Sequence, residues 1–164
     1  MADRLLGSEN VIEREFLVAA ACHPSRAVAF LQALTPEHFS DPSNREVFEG
    51  LRDAFSPLGD TADGRKALAG LQTRAHGDSD AGRLYVRLVM EADQERYPVA
   101  VLEELHLRVQ AQYFKRRIAE LRGALEQGGD VEQEQRQRQL FHLEQLHASV
   151  RASLTNLDPE EGRL

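Results

Sequence analysis

Two Glu-x-x-His pairs are the residues of this sequence whose spacing most resembles a metal site. They are Glu103 with His106 and Glu144 with His147. In di-iron carboxylate bundles this spacing directs both side chains from one helix face toward a shared metal. Here Glu103 and His106 lie on a helix face opposite the apolar stripes, and an antiparallel return places His147 near Gln110. We therefore expect both pairs on solvated helix faces and predict no metal site.

Other residues whose side chains could take part in chemistry have ordinary structural explanations. Asp78 and Asp80 have the spacing of paired Mg²⁺ ligands, but no strand precedes them and a helix N-cap is the expected role. Cys22 lies in an Ala-rich helix and is expected to be a small buried thiol. Four glutamates that could complete a di-iron site are expected at the surface: Glu13, Glu15, Glu46 and Glu49. The sequence therefore predicts no catalytic residue and no cofactor.

The composition narrows the class of partner. The chain has 164 residues, with 20 Lys+Arg against 27 Asp+Glu and a formal charge of −7, which repels a phosphate backbone. One cysteine excludes a disulfide framework and favours a reducing compartment, so we expect a cytoplasmic location. No apolar run reaches the roughly 18 residues of a membrane span, and the first ten residues lack the apolar region of a signal peptide.

The periodicity of apolar residues predicts an all-α fold that begins with a compact bundle of short helices. Ser43 and Glu46 have the spacing of a capping box at the start of one of these helices. Pro36 begins a short helical turn ending near Phe39. The predicted helices have the approximate ranges 11–23, 26–34, 43–55, 66–74 and 81–91, and a loop spans 56–65.

A long helix then runs from Pro98 to Gln127, and Gly128 and Gly129 turn the chain into a last helix that ends near Leu154. The long helix has two apolar stripes, so we expect it to serve two surfaces. One is a coiled-coil type seam of Leu107, Ala111, Phe114, Ile118, Leu121 and Leu125. The other contains Leu102, Leu105 and Val109. We predict a globule over 1–97, and a long helix with a projecting antiparallel hairpin over 98–164.

The order of residues in the first half resembles a known family. The segment EREFLVAAACHP and then AFLQALTPEHFSDPSNREVFEGL contain an apolar helix ending at Pro24, a Leu-Thr-Pro-Glu-x-Phe turn at 34–39, and Asp41-Pro42 leading into Arg45 and Phe48. This pattern resembles the helicase-binding domain at the C-terminus of bacterial DnaG-type DNA primases. It is also similar to the N-terminal domain of DnaB-type replicative hexameric helicases.

The second half favours the primase. The long helix, the Gly-Gly turn and the return helix with Leu143, Leu146 and Val150 resemble the terminal hairpin of the primase domain. The resemblance implies a non-catalytic part of a larger enzyme whose zinc-binding and polymerase domains lie outside this chain. Its implied role is to bind the replicative helicase and so recruit primase to the replication fork for primer synthesis. The alternatives are the collar domain of a helicase and, third, a di-iron helical bundle.

The resemblance also implies positions for partner binding. In the family the exposed face of the last turns of the final helix contributes to helicase contact, and the matching residues here are Glu144, His147, Ala148, Arg151 and Thr155. Some relatives bind the acidic C-terminal tail of single-stranded DNA-binding protein, and Arg14 matches a basic position used there, although Glu13 and Glu15 beside it should oppose an acidic peptide. We expect a monomer in isolation, with no direct contact to nucleic acid or membrane.

Overall fold

The computed structural model describes residues 2–56, 69–92, 94 and 97–157. The predicted all-α class is confirmed, and the described part of the chain contains no strand. Its helices are α1 (Ala2–Cys22), α2 (Pro24–Ala33), α3 (Pro42–Phe55), α4 (Asp80–Ala92), α5 (Val99–Gln127) and α6 (Asp130–Leu157), with a 3-10 turn at Pro36–His38. Residues 69–72 are also helical, while most of the predicted loop 56–65 and the start of the predicted helix 66–74 lie outside the described residues.

Helix α3 begins with a side-chain cap that differs from the predicted one. The Asp41 carboxylate accepts hydrogen bonds from the backbone N–H groups of Ser43 at 2.9 Å and Asn44 at 3.2 Å. Pro42 occupies the first turn, where the backbone N–H that proline lacks would have no partner within the helix. Asp41 therefore caps α3, and the predicted capping box of Ser43 and Glu46 is wrong.

Helix α4 is capped by a serine between the two predicted aspartates. The Ser79 hydroxyl oxygen accepts a hydrogen bond from the Gly82 N–H at 3.0 Å, so neither Asp78 nor Asp80 supplies the cap. The turn is tight at this point, because a Cβ added to Gly82 would lie 2.5 Å from the carbonyl oxygen of His76. The backbone therefore requires glycine three residues after the cap.

The contacts within the chain form two compact units, Met1–Val109 and Gln110–Leu164. The division falls inside α5 and not at residue 97, where the sequence placed it. The reason is packing: Leu102 and Val109 are fully buried in the core of the first unit, and Leu105 packs against that core. The second apolar stripe of the long helix thus completes the first unit. The predicted projection of the hairpin stays a prediction.

Aromatic residues from three successive segments fill the core of the first unit. Phe16 of α1 lies against Phe39, with ring centroids 6.3 Å apart, and Phe39 stacks on Phe48 of α3 at 4.7 Å. On the other side of α3, Tyr85 of α4 approaches so closely that a Cβ at Gly50 would lie 1.8 Å from its hydroxyl oxygen. The absence of a side chain at Gly50 therefore permits this α3–α4 packing.

A buried carboxylate joins α1 to the segment that precedes α3. Glu13 is fully buried, and its Oε1 accepts hydrogen bonds from the Ser40 N–H at 2.7 Å and the Ser40 hydroxyl at 2.8 Å. Its Oε2 accepts one from the Asn44 side-chain amide at 2.9 Å. The prediction that Glu13 is a surface residue is therefore wrong: these donors satisfy its oxygens inside the protein.

In the second unit, α5 and α6 run antiparallel around Gly128 and Gly129, as predicted. The Arg122 guanidinium pairs with Glu144 across the two helices at 2.7 Å. Nearer the turn, the Gln133 side chain donates to the Gly128 carbonyl at 2.9 Å. The seam residues Phe114 and Leu121 are half-buried and Ile118 is buried, because each helix of a pair can cover only one face of the other.

No helix within the described part of the chain combines the length and the apolar character needed to cross a membrane.

Replacing Glu13 should destabilise the first unit. In Glu13→Gln an N–H₂ group takes the place of one accepting oxygen and faces a donor, so we expect the free energy of unfolding to fall by about 2 kcal/mol. Urea denaturation followed by circular dichroism measures this change. Glu49→Gln on the exposed face of α3 is the matched control and should change stability by less than about 0.5 kcal/mol. Equal stability of the two variants would contradict the assigned role of Glu13.

Candidate functional site

Helices α5 and α6 form a groove on the second unit, with a volume of about 420 Å³. Four residues from each helix line it: Lys115, Ile118, Ala119, Arg122, Glu144, His147, Ala148 and Arg151. Four of the five partner-binding residues predicted on the last helix therefore meet in one place. The fifth, Thr155, does not line the groove, and its hydroxyl donates to the Arg151 carbonyl at 3.0 Å.

The groove has an apolar floor. Ile118 is 7% exposed and is the most deeply buried residue of the described second unit. Ala119 and Ala148 are exposed, one on each helix. Because alanine ends at Cβ, these two positions leave open space beside Ile118 that a larger side chain would fill. The floor can therefore accept an apolar side chain from outside.

The charges around the groove are mainly positive. Arg122 is paired with Glu144 at 2.7 Å, whereas Lys115 and Arg151 have no ion-pair partner among the described residues. The pKa of His147 is lowered by its partial burial and then by the nearby positive charges of Arg151 and Lys115. The lowered pKa favours the neutral form of His147, and Lys115 and Arg151 supply the net charge of the groove.

The α5 side of this groove was missed in the sequence, apart from Ile118, which was expected in the seam. Lys115 and Arg122 lie three before and four after Ile118 and so share its side of the helix, and Ala119 lies four after Lys115 and three before Arg122. That spacing was a usable signal, but the pairing register decides which turn of α6 they meet. The register was predicted wrongly: His147 lies in the groove with Lys115 and Ile118 and not at the level of Gln110.

A second concave site surrounds Arg14 in the first unit. It has a volume of about 250 Å³ and is lined by Arg14 of α1 together with Asp80, Arg83, Leu84 and Arg87 of α4. Three guanidinium groups and one carboxylate therefore line this site, which gives it a positive balance. The sequence singled out Arg14 alone, because the packing of α4 against α1 that adds Arg83 and Arg87 is a tertiary feature.

The two glutamates beside Arg14 have partners of their own. Glu13 is buried against Ser40 and Asn44, as described above. Glu15 accepts a hydrogen bond from Arg87 at 2.7 Å and another from the Tyr97 hydroxyl. The Arg87 cation offsets the charge of Glu15 and so weakens the repulsion expected from that carboxylate, whereas the donors to Glu13 are neutral.

The first Glu-x-x-His pair is split between solvent and core. Glu103 is exposed, but His106 is 8% exposed and its ring lies 4.6 Å from that of Phe30 and 6.1 Å from that of Phe16. The expectation that His106 is solvated is therefore wrong. Burial, and to a lesser extent the nearby His38, lowers the pKa of His106 to about 4. Its buried Nε2 atom has no hydrogen-bond partner in the described part of the protein.

The remaining candidates for chemistry are separated from one another. The described residues contain no group of three or more His, Cys, Asp or Glu side chains that could hold a metal ion. Asp78 and Asp80 are exposed beside the α4 cap. Cys22 is half-buried, and its thiol donates to the Glu91 carbonyl at 3.5 Å. The α5–α6 groove and the pocket at Arg14 are therefore the candidate binding sites.

Comparison of the chain with protein-family models, with curated proteins and with solved structures found no match.

The burial of His106 predicts a pH-dependent loss of stability. Because the folded-state pKa lies below the unfolded value of 6.5, the protein is destabilised as the pH falls from 6.5 to about 4. The unfolding free energy of the wild type should fall between pH 7 and pH 4, and we expect this fall to be about 3 kcal/mol smaller in His106→Phe. Urea denaturation at a series of pH values measures it. His76→Gln at an exposed position is the control and should keep the wild-type pH dependence. The wild-type pH dependence in His106→Phe would refute the assignment of this effect to His106.

Proposed function

We propose that this chain is a non-catalytic protein-interaction domain that binds the N-terminal domain of a replicative hexameric helicase. It would act as the helicase-binding domain of a bacterial DNA primase and recruit the primase to the replication fork. The observation that carries this proposal is the α5–α6 groove. It unites Glu144, His147, Ala148 and Arg151, which the resemblance to primase associates with helicase contact, with an apolar floor at Ile118.

The form of the groove suits recognition of another helix. Helix-in-groove binding needs a few apolar anchors at i, i+3 and i+4 set into a depression lined by polar groups. Ile118, Ala119 and Ala148 offer the apolar surface, and charged side chains from both helices surround it. Such a site has a hydrophobic centre and a polar rim, the usual arrangement at protein interfaces.

The overall charge supports a protein partner over a nucleic acid. The net charge of −7 opposes a phosphate backbone, and the described part of the second unit has its acidic and basic residues largely in pairs. In a primase, contact with the template belongs to other domains. The domain itself would need neither a cofactor nor a catalytic residue for attachment.

The main alternative is the collar domain of a helicase, which resembles the primase domain and forms rings. We expect the chain alone to sediment as a monomer and to bind a hexameric replicative helicase, because the groove is formed within a single chain. Analytical ultracentrifugation of the chain, the helicase and their mixture measures both properties. A helicase without its N-terminal domain is the control and should not bind. A hexamer or a trimer of dimers formed by the chain alone would favour the collar domain instead.

A second binding role is supported by the pocket at Arg14. We propose that this pocket accepts an acidic peptide such as the C-terminal tail of single-stranded DNA-binding protein. Arg14 and Arg83 can form charge-assisted hydrogen bonds with carboxylates, whereas Arg87 is already paired with Glu15 and Glu91. Leu84 provides an apolar wall for a side chain that accompanies the acidic residues.

Charge reversal in this pocket should weaken binding of an acidic peptide. We expect Arg83→Glu to reduce the affinity for a peptide with the sequence of that tail by about tenfold, since it removes an attraction and adds a repulsion. Fluorescence anisotropy with a labelled peptide measures the dissociation constant. Arg26→Glu on the exposed surface of α2 is the matched control and should bind within about twofold of the wild type. Equal affinity of both variants would exclude this pocket as the peptide site.

A further inference from the structure

We propose that the α5–α6 groove accepts an acidic amphipathic helix of the partner, one that inserts an apolar side chain between Ala119 and Ala148 and places carboxylates beside Lys115 and Arg151. This inference rests on the proposed function and specifies the chemistry of the partner surface. It also states which side chains of the groove contact that surface: two alanines for space and two cations for charge.

The apolar part of the inference follows from the missing volume in the groove. Ile118 is buried, and the two alanines that line the groove with it end at Cβ, so the depression stays open in the described structure. An inserted aliphatic or aromatic side chain would contact Ile118 and remove apolar surface from water. A flat polar surface of a partner would leave this space unfilled.

The acidic part follows from the distribution of charge. Arg122 is held by Glu144, which leaves Lys115 and Arg151 as the cations of the groove without an ion-pair partner in the described residues. They lie on different helices, and both are close enough to His147 to lower its pKa. Carboxylates of a partner would form charge-assisted contacts with both cations, whereas a basic helix would be repelled.

Two other occupants fit the charges less well. A nucleic acid needs cations along an extended row of phosphates, whereas the groove offers only Lys115 and Arg151, beside the paired Arg122 and Glu144. A second copy of this chain would have to insert one of its own acidic helices into this groove, while presenting an identical groove itself. Such docking would make the chain self-associate, which sedimentation detects.

The test uses the full chain and the isolated N-terminal domain of the replicative helicase from the same organism. We expect the double variant Lys115→Glu with Arg151→Glu to bind about 100-fold more weakly than the wild type. Its affinity should also lose the decrease with added salt that the wild type shows. The matched control is Arg117→Glu, an exposed arginine of α5 outside the groove that pairs with Glu120, and its affinity should stay within about threefold.

The apolar insertion is tested separately. Ala148→Gln fills the groove with a long polar side chain, so we expect about tenfold weaker binding. Ser149→Gln places the same side chain on the next, exposed position of α6 outside the groove and should bind like the wild type. Circular dichroism and the urea unfolding midpoint establish that each of these surface variants is folded.

The outcomes separate the two proposals. Weak binding by both groove variants, with normal binding by both controls, supports the inference. Wild-type affinity in the groove variants overturns the inference and leaves helicase binding in place. No binding by the wild-type chain overturns the proposed function and this inference with it. Self-association of the wild type that the charge-reversed variant loses would show that a second copy occupies the groove, and that also overturns the inference.

Discussion

Two antiparallel helices can bury only the sides that they turn toward each other, and this constraint determines what the second unit can do. The shared seam of α5 and α6 leaves Phe114 and Leu121 half-buried, and of the residues whose burial is described in this unit only Ile118 is as buried as a core residue. Where Ala119 and Ala148 line the surface together with Ile118, the pair of helices leaves an open groove. The apolar surface that a two-helix structure cannot cover by itself is the surface that a third helix can cover. The proposed docking role is therefore a consequence of packing that the hairpin leaves incomplete.

The core of the first unit is packed by residues of that unit itself, and it contains polar as well as apolar side chains. The Glu13 carboxylate holds the segment before α3 against α1, and Phe39 in that segment lies between Phe16 and Phe48. Removing the carboxylate would therefore disturb the aromatic core as well as the hydrogen bonds. The packing of α4 on α1 then brings arginines of two helices together and forms the pocket at Arg14. The fold thus forms two kinds of site, an apolar groove with cations and a cluster of guanidinium groups.

Much of the fold could be predicted from the sequence, because helix periodicity and the turn residues are local signals. The two stripes of α5 and the turn at Gly128 are examples. Three features depended on tertiary structure and were predicted wrongly: Glu13 and His106 have polar side chains that the fold buries, and the pairing register places His147 with Lys115. The same limit applies to the sites. Candidate residues on one helix were proposed from a resemblance, but the residues that they meet on the neighbouring helix follow only from the packed structure.

We propose that the chain attaches to a helicase through the groove between α5 and α6. Hydrogen–deuterium exchange of the full chain, alone and saturated with the replicative helicase, tests it most directly because it reports backbone protection along the whole chain without any substitution. We expect added protection in both segments that line the groove, residues 115–122 of α5 and 144–151 of α6. Unchanged exchange in these two segments in the presence of bound helicase would contradict it.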